Sequence, residues 1–270
     1  AAATVVEDDV QGPEVVGGFA LLLDRYDTFL LDQWGVLHDG KQPYDGALEC
    51  MAKLRAHGKR IVLLSNSSVR RTNSYAGLER LGFGPELFDD IVTSGELSWH
   101  WLKEQALSRT DRPLRVFVIG RGQDDEEYVT SAGCVFSGPG TADLVLARGM
   151  FSVWRSEGDM QAFATAEQLL GAIDPALAQC AALGLPMLVS NPDQNRPGSG
   201  APMPGQIASK YQALGGTVHF RGKPHPEVYA ASVASLTEAL GTPPAPERMC
   251  AVGDSLEHDI GGARALGIPN

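Results

Sequence analysis

Chemistry in this chain would start from a few polar side chains placed just after short apolar runs. They are Asp32 after TFLL, Ser65 and Asn66 after RIVLL, Lys223 in GKPHP, and Asp254 after MCAVG, with Asp259 shortly beyond. In an open parallel sheet, ligands lie outside the carboxyl ends of the strands, where such residues would converge. A carboxylate such as Asp32 is a poor nucleophile in water, yet it can attack phosphorus when a divalent cation and a lysine neutralise the phosphate. Mg²⁺ takes one or two carboxylates together with waters and phosphate oxygens, and Asp32 with Asp254 could supply that pair. Asp259 could hold a water of the metal, Ser65 could donate to a phosphoryl oxygen, and Lys223 would be the local cation. Each residue alone has a plainer reading. Asp32 could start a turn, Ser65 and Asn66 could cap the next helix, and Asp254 with Glu257 resembles a capping box. Their combination and order favour the chemical reading.

The elements that would position them alternate. Short runs rich in Val, Ile and Leu are interleaved with helical patterns along most of the chain, as in parallel α/β units. TFLLD and RIVLLSN read as strands, and between them YDGALECMAKLRAHG puts Ala47, Met51 and Leu54 on one helical face before Gly58 ends it. TNSYAGLERLGFG reads as the next helix. DIVTSGE reads as an apolar turn in which Ser94 caps the following helix, ELSWHWLKEQAL. After the polar break SRTDRP the rhythm restarts. LRVFVIG, DLVLARG and PMLVSN read as strands, MQAFATAEQLLGAI and PALAQCAALG as helices. The turn-rich NPDQNRPGSGAPMPG marks a return. GTVHF, a helix over PEVYAASVASLTEAL, the strand RMCAVGD and the helix DIGGARALG then complete a βαβα ending. The expected architecture is an α/β core over 1–96 and 204–270, with a second α/β domain inserted at 97–203.

Composition narrows the function. No apolar run approaches the roughly 20 residues of a membrane span. The formal charge of −11 disfavours nucleic acid or an anionic membrane as a partner, and an anionic small substrate would need a local cation. Cys50, Cys134, Cys180 and Cys250 lack metal-type spacing in a chain too long to need disulfides, so they read as buried thiols of a reducing, cytoplasmic compartment. AAATVVEDDVQGPE reads as a loose acidic leader without an initiator Met. ALGIPN stops where another strand is expected, so the natural chain could run further.

Four stretches in order, DQWGVLHDG, LLSNSSVRR, GKPHPEVY and VGDSLEHDIGGARALG, resemble the motifs of the haloacid dehalogenase-like hydrolase superfamily. The insertion between the second and third is similar to the class IIA branch, the NagD-like phosphatases with an α/β cap, and SNPDQNRPG resembles that branch's Asn-Pro-Asp loop near the substrate. The resemblance covers about residues 25–269. It implies a Rossmann-like core with a mobile cap, an aspartyl-phosphate intermediate, Mg²⁺ dependence and a small phosphorylated substrate. By that resemblance Asp32 matches the nucleophile, Ser65 the phosphate-binding hydroxyl and Lys223 the phosphate-binding cation. Asp254 and Asp259 match the acidic metal site, joined by Asp32 itself and by the backbone carbonyl of Trp34. Asn66, Asn191 and Asp193 match substrate-side positions. A cap of this kind could also offer a homodimer surface.

One position departs from the pattern. Phosphatases of the family carry a second Asp two residues after the nucleophile, as acid to the leaving alcohol and base to the attacking water, and Trp34 stands there. A positioned general acid is worth about 10²- to 10⁴-fold. Either His38 or Asp39 replaces it, or the substrate has a leaving group that departs without protonation, such as an acyl phosphate, or the protein binds a phosphometabolite without turnover. The dehalogenase reading ranks below these, because a carbon electrophile does not require the acidic metal pair. VIGRGQ has Gly120 and Gly122 but no third spaced glycine, so it reads as a turn. Arg70, Arg71 and Arg196 could meet an anionic substrate, with surface solvation as their default. Trp99 and Trp101 read as packing near the domain junction.

Overall fold

The computed structural model describes residues 16–270, so the expected acidic leader lies outside the described residues. The chain begins with β1 (Thr28–Asp32), α1 (Ala47–Ala56), β2 (Arg60–Ser65), α2 (Arg71–Arg80), β3 (Asp90–Thr93) and α3 (Ser94–Leu107). It continues with β4 (Leu114–Gly120), α4 (Asp125–Ser131), β5 (Cys134–Phe136), β6 (Leu144–Ala147), β7 (Ser152–Ser156) and β8 (Asp159–Ala162). Then come α5 (Ala166–Ala172), α6 (Asp174–Ala182), β9 (Met187–Val189), α7 (Pro204–Ala213), β10 (Val218–Phe220), α8 (Pro226–Leu240) and β11 (Met249–Val252).

The first sheet is parallel throughout, in the order β11-β1-β2-β3. Its strands are near-continuous apolar runs because helices cover both faces. Phe29, Leu31, Ile61, Leu63 and Ile91 pack with Met51, Leu54 and Leu78 on one side. Leu30, Val62, Leu64 and Val92 pack with Val228, Tyr229 and Leu236 of α8 on the other. The register sets Asp32 opposite Leu64 and Ser65 opposite Thr93, so the carboxyl ends finish along one edge. β1 sends its chain to β2 on one side and receives β11 on the other. The crevice beside Asp32 is therefore the point where strand order reverses, the usual ligand position in such sheets.

The second sheet has the order β10-β9-β6-β4-β7-β8, with β5 also paired to β4. β4, β6, β9 and β10 run parallel, and β7 and β8 add an antiparallel hairpin. Here the structure corrects three readings of the sequence. β10 pairs with β9, and Ile207, Ala208 and Tyr211 of α7 join the second core, so residues 204–220 belong to the insertion and not to the first domain. The segment DIVT is the strand β3, and Thr93, not Ser94, caps α3 by accepting the Glu96 N–H at 3.0 Å. The stretch expected as one long helix from Met160 splits into β8 and the shorter α5. β8 is exposed on every residue, so it has none of the buried periodicity that identifies a strand.

The four cysteines are free thiols, three of them buried and Cys50 half-buried. No helix among the described residues is long and apolar enough to cross a membrane.

Candidate active site

β1 is buried along its whole length and delivers Asp32 at its last position. Lys223 arrives from the loop between β10 and α8, and its ammonium sits 2.6 Å from Asp32 Oδ1 and 2.7 Å from Asp259 Oδ1. The lysine side chain is 3% exposed, a burial that a charged ammonium tolerates only with such partners. Burial works against the charge of Lys223, and the two carboxylates outweigh it and raise its pKa. For Asp32 burial is the largest influence and pushes the carboxyl above its ordinary range. Lys223 pulls it back down, while the neighbouring charge of Asp259 adds to the rise.

Two carboxylates crowded with one ammonium leave negative charge uncompensated, and a third acid stands beside them. Oxygen atoms of Asp32, Asp254 and Asp259 lie within 4.8 Å of one another, with Asp254 open to solvent. Glycines let the loops approach this closely. A Cβ on Gly35, whose φ is +89°, would strike the Asp254 carboxylate, and one on Gly253 would strike Asp259. The first contact also brings the chain beside Trp34 against Asp254, as a carbonyl ligand from Trp34 would require. A set of hard oxygen donors fits a divalent cation such as Mg²⁺.

β2 ends on Ser65, whose Oγ accepts the Ser67 N–H at 3.2 Å and keeps its own proton for another acceptor. Asn66 is buried and does not cap the helix that follows. Its Oδ1 accepts the Lys223 N–H at 2.7 Å, and its Nδ2 donates to Asp193 Oδ1 at 2.8 Å and to the Lys223 carbonyl at 3.2 Å. Asp193 belongs to the loop after β9, so this bond joins the two domains. Asn191 acts one step removed, its Oδ1 accepting the Asp193 N–H at 2.9 Å. The capping box that Asp254 and Glu257 resemble in sequence is not formed. Ser255 caps the turn Leu256–Gly261, its Oγ accepting the His258 N–H at 3.1 Å, which leaves Asp254 to the acidic cluster.

The ring of Trp34 lies over Gly40, where a Cβ would strike it, and meets the His38 ring edge-on at 6.1 Å. His38 is itself 8% exposed and packs near Phe83. Its Nδ1 accepts the Gly40 N–H at 3.0 Å, and burial lowers its pKa. Asp39 is half-buried and accepts the N–H groups of Lys41 and Gln42, both at 2.8 Å, which lower its pKa. Both stand-ins considered for the missing acid are thus engaged in shaping the turn after Trp34. His258, next to Asp259 in sequence, meets the loop after β9. Its Nδ1 lies 3.3 Å from Asp193 Oδ1. Sequence reasoning passed over it, although the dipeptide His258–Asp259 was a visible signal.

The three arginines separate in role. Arg70 is paired with Glu96 through Nε at 2.7 Å and Nη2 at 3.0 Å and stacks on Trp99, and Arg71 is paired with Asp90 at 3.0 Å. Arg196 stays exposed on the loop that carries Asp193.

A family model described as haloacid dehalogenase-like hydrolase matches residues 29–134, and a second, related model matches residues 220–270. The chain belongs to the haloacid dehalogenase-like hydrolase superfamily. The relatives are those of its NagD-like class IIA branch. A 4-nitrophenylphosphatase from Schizosaccharomyces pombe is 27% identical over 88% of this chain and 80% of its own. A solved haloacid dehalogenase-like hydrolase from Brucella suis superposes with a TM-score of 0.77 at 26% identity, over 93% of this chain and 86% of that one. A glycerol phosphate phosphatase from Mycobacterium tuberculosis, solved with magnesium, gives 0.63 at 25% identity over 92% and 68%. The first matched segment runs through the first sheet into β4 and the start of β5, the second covers α8 and β11, and most of the second sheet lies between them.

Proposed function

We propose that this member of the superfamily is a Mg²⁺-dependent phosphatase of a small phosphorylated metabolite, working through an aspartyl phosphate on Asp32. The observation that carries the reading is the Lys223 ammonium held between Asp32 and Asp259 at the strand-order switch, with Asp254 completing an oxygen-donor cluster. Asp32, Asp254, Asp259 and the Trp34 carbonyl would hold the ion, which when bound would neutralise phosphate charge and favour the ionised form of the Asp32 carboxyl. Lys223 and the Ser65 hydroxyl would bind phosphoryl oxygens, and Asn66, Asn191 and Asp193 would shape the substrate side.

The reaction has two steps. An Asp32 oxygen forms a bond to phosphorus as the ester P–O bond breaks, and the leaving oxygen takes that electron pair. Water then attacks the phosphorus of the aspartyl phosphate, releasing inorganic phosphate and restoring the Asp32 carboxylate. In the first step an alkoxide needs a proton at once, whereas a nitrophenolate or carboxylate leaving group does not. Indole is a donor only and does not give up its proton near neutral pH, so Trp34 biases the site toward the better leaving groups. That bias supports acyl or aryl phosphates over alkyl phosphates as the efficient substrates.

Phosphate release from acetyl phosphate, p-nitrophenyl phosphate and sugar phosphates, with Mg²⁺ and with EDTA, tests the reading. Release that needs Mg²⁺ and disappears in Asp32→Asn is expected. A folded protein that binds phosphate and Mg²⁺ but releases none from any substrate would support the second reading, a phosphometabolite binder, which the Trp34 side chain favours.

A further inference from the structure

Four backbone carbonyls at the end of β2 and in the loop after it, those of Ser65, Ser67, Ser68 and Val69, take donors from distant parts of the chain. Three receive them from the junction of β3 and α3, within the same domain. Ser94 Oγ donates to the Ser65 carbonyl at 3.3 Å, the Gly95 N–H to that of Ser67 at 2.9 Å, and Thr93 Oγ1 to that of Val69 at 2.8 Å. The Ser68 carbonyl instead receives Arg148 Nη2 at 3.2 Å, from the end of β6 in the inserted domain. Arg148 is 0% exposed and the largest fully buried side chain among the described residues.

Both terminal nitrogens of the arginine are engaged, while its buried Nε has no hydrogen-bond partner. Its Nη1 donates to Asp124 Oδ1 at 3.1 Å and to Asp125, and its guanidinium lies 4.0 Å from the centre of the Tyr128 ring. Asp125 is anchored in turn by Ser152 Oγ at 2.7 Å, Trp154 Nε1 at 3.1 Å and the Arg121 and Gly122 N–H groups. Tyr128 reaches the first domain as well, donating to the Gly95 carbonyl at 2.6 Å. Gly95 is packed so tightly on Ser68 and Val69 that a Cβ there would strike their backbone. The buried charge thus has its carboxylates in one domain and its remaining acceptor in the other.

We propose that Arg148 is a positioning residue that holds the Ser65–Arg70 loop from the inserted domain, so that the phosphate site is complete only while the two domains stay docked along this seam. The proposal rests on the reading of Ser65 and Asn66 as the phosphate-binding loop. A buried guanidinium loses much of its stabilisation if the seam parts, because Nη2 would lose its acceptor. The Asp193 contact with Asn66 and His258 is different in kind, since those side chains are 22% and 23% exposed at Asp193 and His258. Entry of substrate is therefore assigned to movement of the loop that carries Asp193, with the Arg148 seam as its fixed side.

The test uses two variants of the full chain, inorganic phosphate as the probe and two readouts. Arg148→Lys keeps a charge beside Asp125, but a single ammonium replaces the two guanidinium nitrogens that reach the aspartates and Ser68 separately. Tyr128→Phe removes only the second cross-domain bond. In Arg148→Lys, phosphate affinity measured by calorimetry with Mg²⁺ should fall about tenfold, the value of one lost charge-assisted hydrogen bond. Amide exchange should accelerate in residues 66–70 and 95–97 while the amides of β4, β6 and β9 keep their protection. Tyr128→Phe should show the same pattern with a smaller change. Unchanged affinity and exchange in both variants would overturn the proposal. So would faster exchange throughout the second sheet, the signature of a general structural role. If the unaltered protein binds no phosphate, the reading of Ser65 falls, and exchange in residues 66–70 decides for or against Arg148 by itself.

Discussion

Replacing Trp34 by aspartate turns the departure in this sequence into an experiment. The ring lies over Gly40 and edge-on to His38 at 6.1 Å, half-buried, so its loss removes contact within the turn and not from the main cores. An aromatic side chain buries about 150–250 Å² when fully covered. Half of that at about 25 cal/mol/Å² gives a cost of about 2–3 kcal/mol, or a fall in melting temperature of roughly 4–12 °C for a chain of this size. Against this, a positioned general acid contributes about 10²- to 10⁴-fold to departure of an alkoxide, about 3–5 kcal/mol of barrier. It contributes little to departure of nitrophenolate. The assay compares kcat/KM for an alkyl phosphate and for p-nitrophenyl phosphate, at saturating Mg²⁺ and at a temperature where both proteins are folded. The unaltered protein should strongly prefer the aryl ester. In Trp34→Asp the alkyl ester should gain at least about 100-fold while the aryl ester changes little, so the preference narrows. A native enzyme already indifferent to the leaving group, or a folded variant with no gain on the alkyl ester, would refute the argument that residue 34 sets the leaving-group requirement.

Further outcomes are expected from the same geometry. Lys223→Met leaves Asp32 and Asp259 without the ammonium now 2.6 and 2.7 Å away, so stability in denaturant titrations should drop by about 3–5 kcal/mol and phosphate release should vanish; a variant as stable as the parent contradicts the buried ion triad. The His38→Ala, Asp39→Ala double variant should remain within about twofold of the parent, because both residues are bound into the turn, and a loss of about tenfold or more in steady-state assays would return the acid role to the turn. Asp143 is held well below the ordinary carboxylate range, chiefly by its hydrogen bonds with Arg112, with burial opposing and Arg115 reinforcing. Its folded pKa lies below its unfolded one, so its contribution is present above about pH 4 and is lost as pH falls below that. Asp143→Asn should be less stable at pH 7 and flatter in acid, and an unaltered acid limb in urea titrations would remove the clamp from the account.

What the sequence revealed and what it hid follow from how far apart the interacting residues lie. Asp32, Ser65 and Asp254 could be found because each follows a buried strand, and a parallel register turns that sequence position into a place on one edge. The two flanks of the core were readable for the same reason. The end of the insertion was not, because the turn-rich loop at 191–203 looked like a boundary although its chain goes on to complete the second sheet with β10. Sequence patterns mark where a chain turns, whereas strand pairing decides to which sheet it returns. β8 was missed because an exposed hairpin strand has no apolar alternation to detect.

The same distinction separates the residues of the site. Asn66 looked like a helix cap, a role decided by its near neighbours, but its side chain is claimed by Asp193 and Lys223, which lie more than a hundred residues away. Arg148 followed an apolar strand as plainly as Asp32 did and still passed unnoticed, because the meaning of an arginine there depends on an acceptor in another domain. Trp34 is the converse case. Its consequence could be read locally, since a carboxylate position filled by indole loses its proton chemistry whatever surrounds it. What only the fold could add is that His38 and Asp39, the nearest residues able to compensate, are already bound into the turn around it. The search for compensation therefore moves from the chain after Trp34 to the facing loops, where His258 and Asp193 meet across the domains.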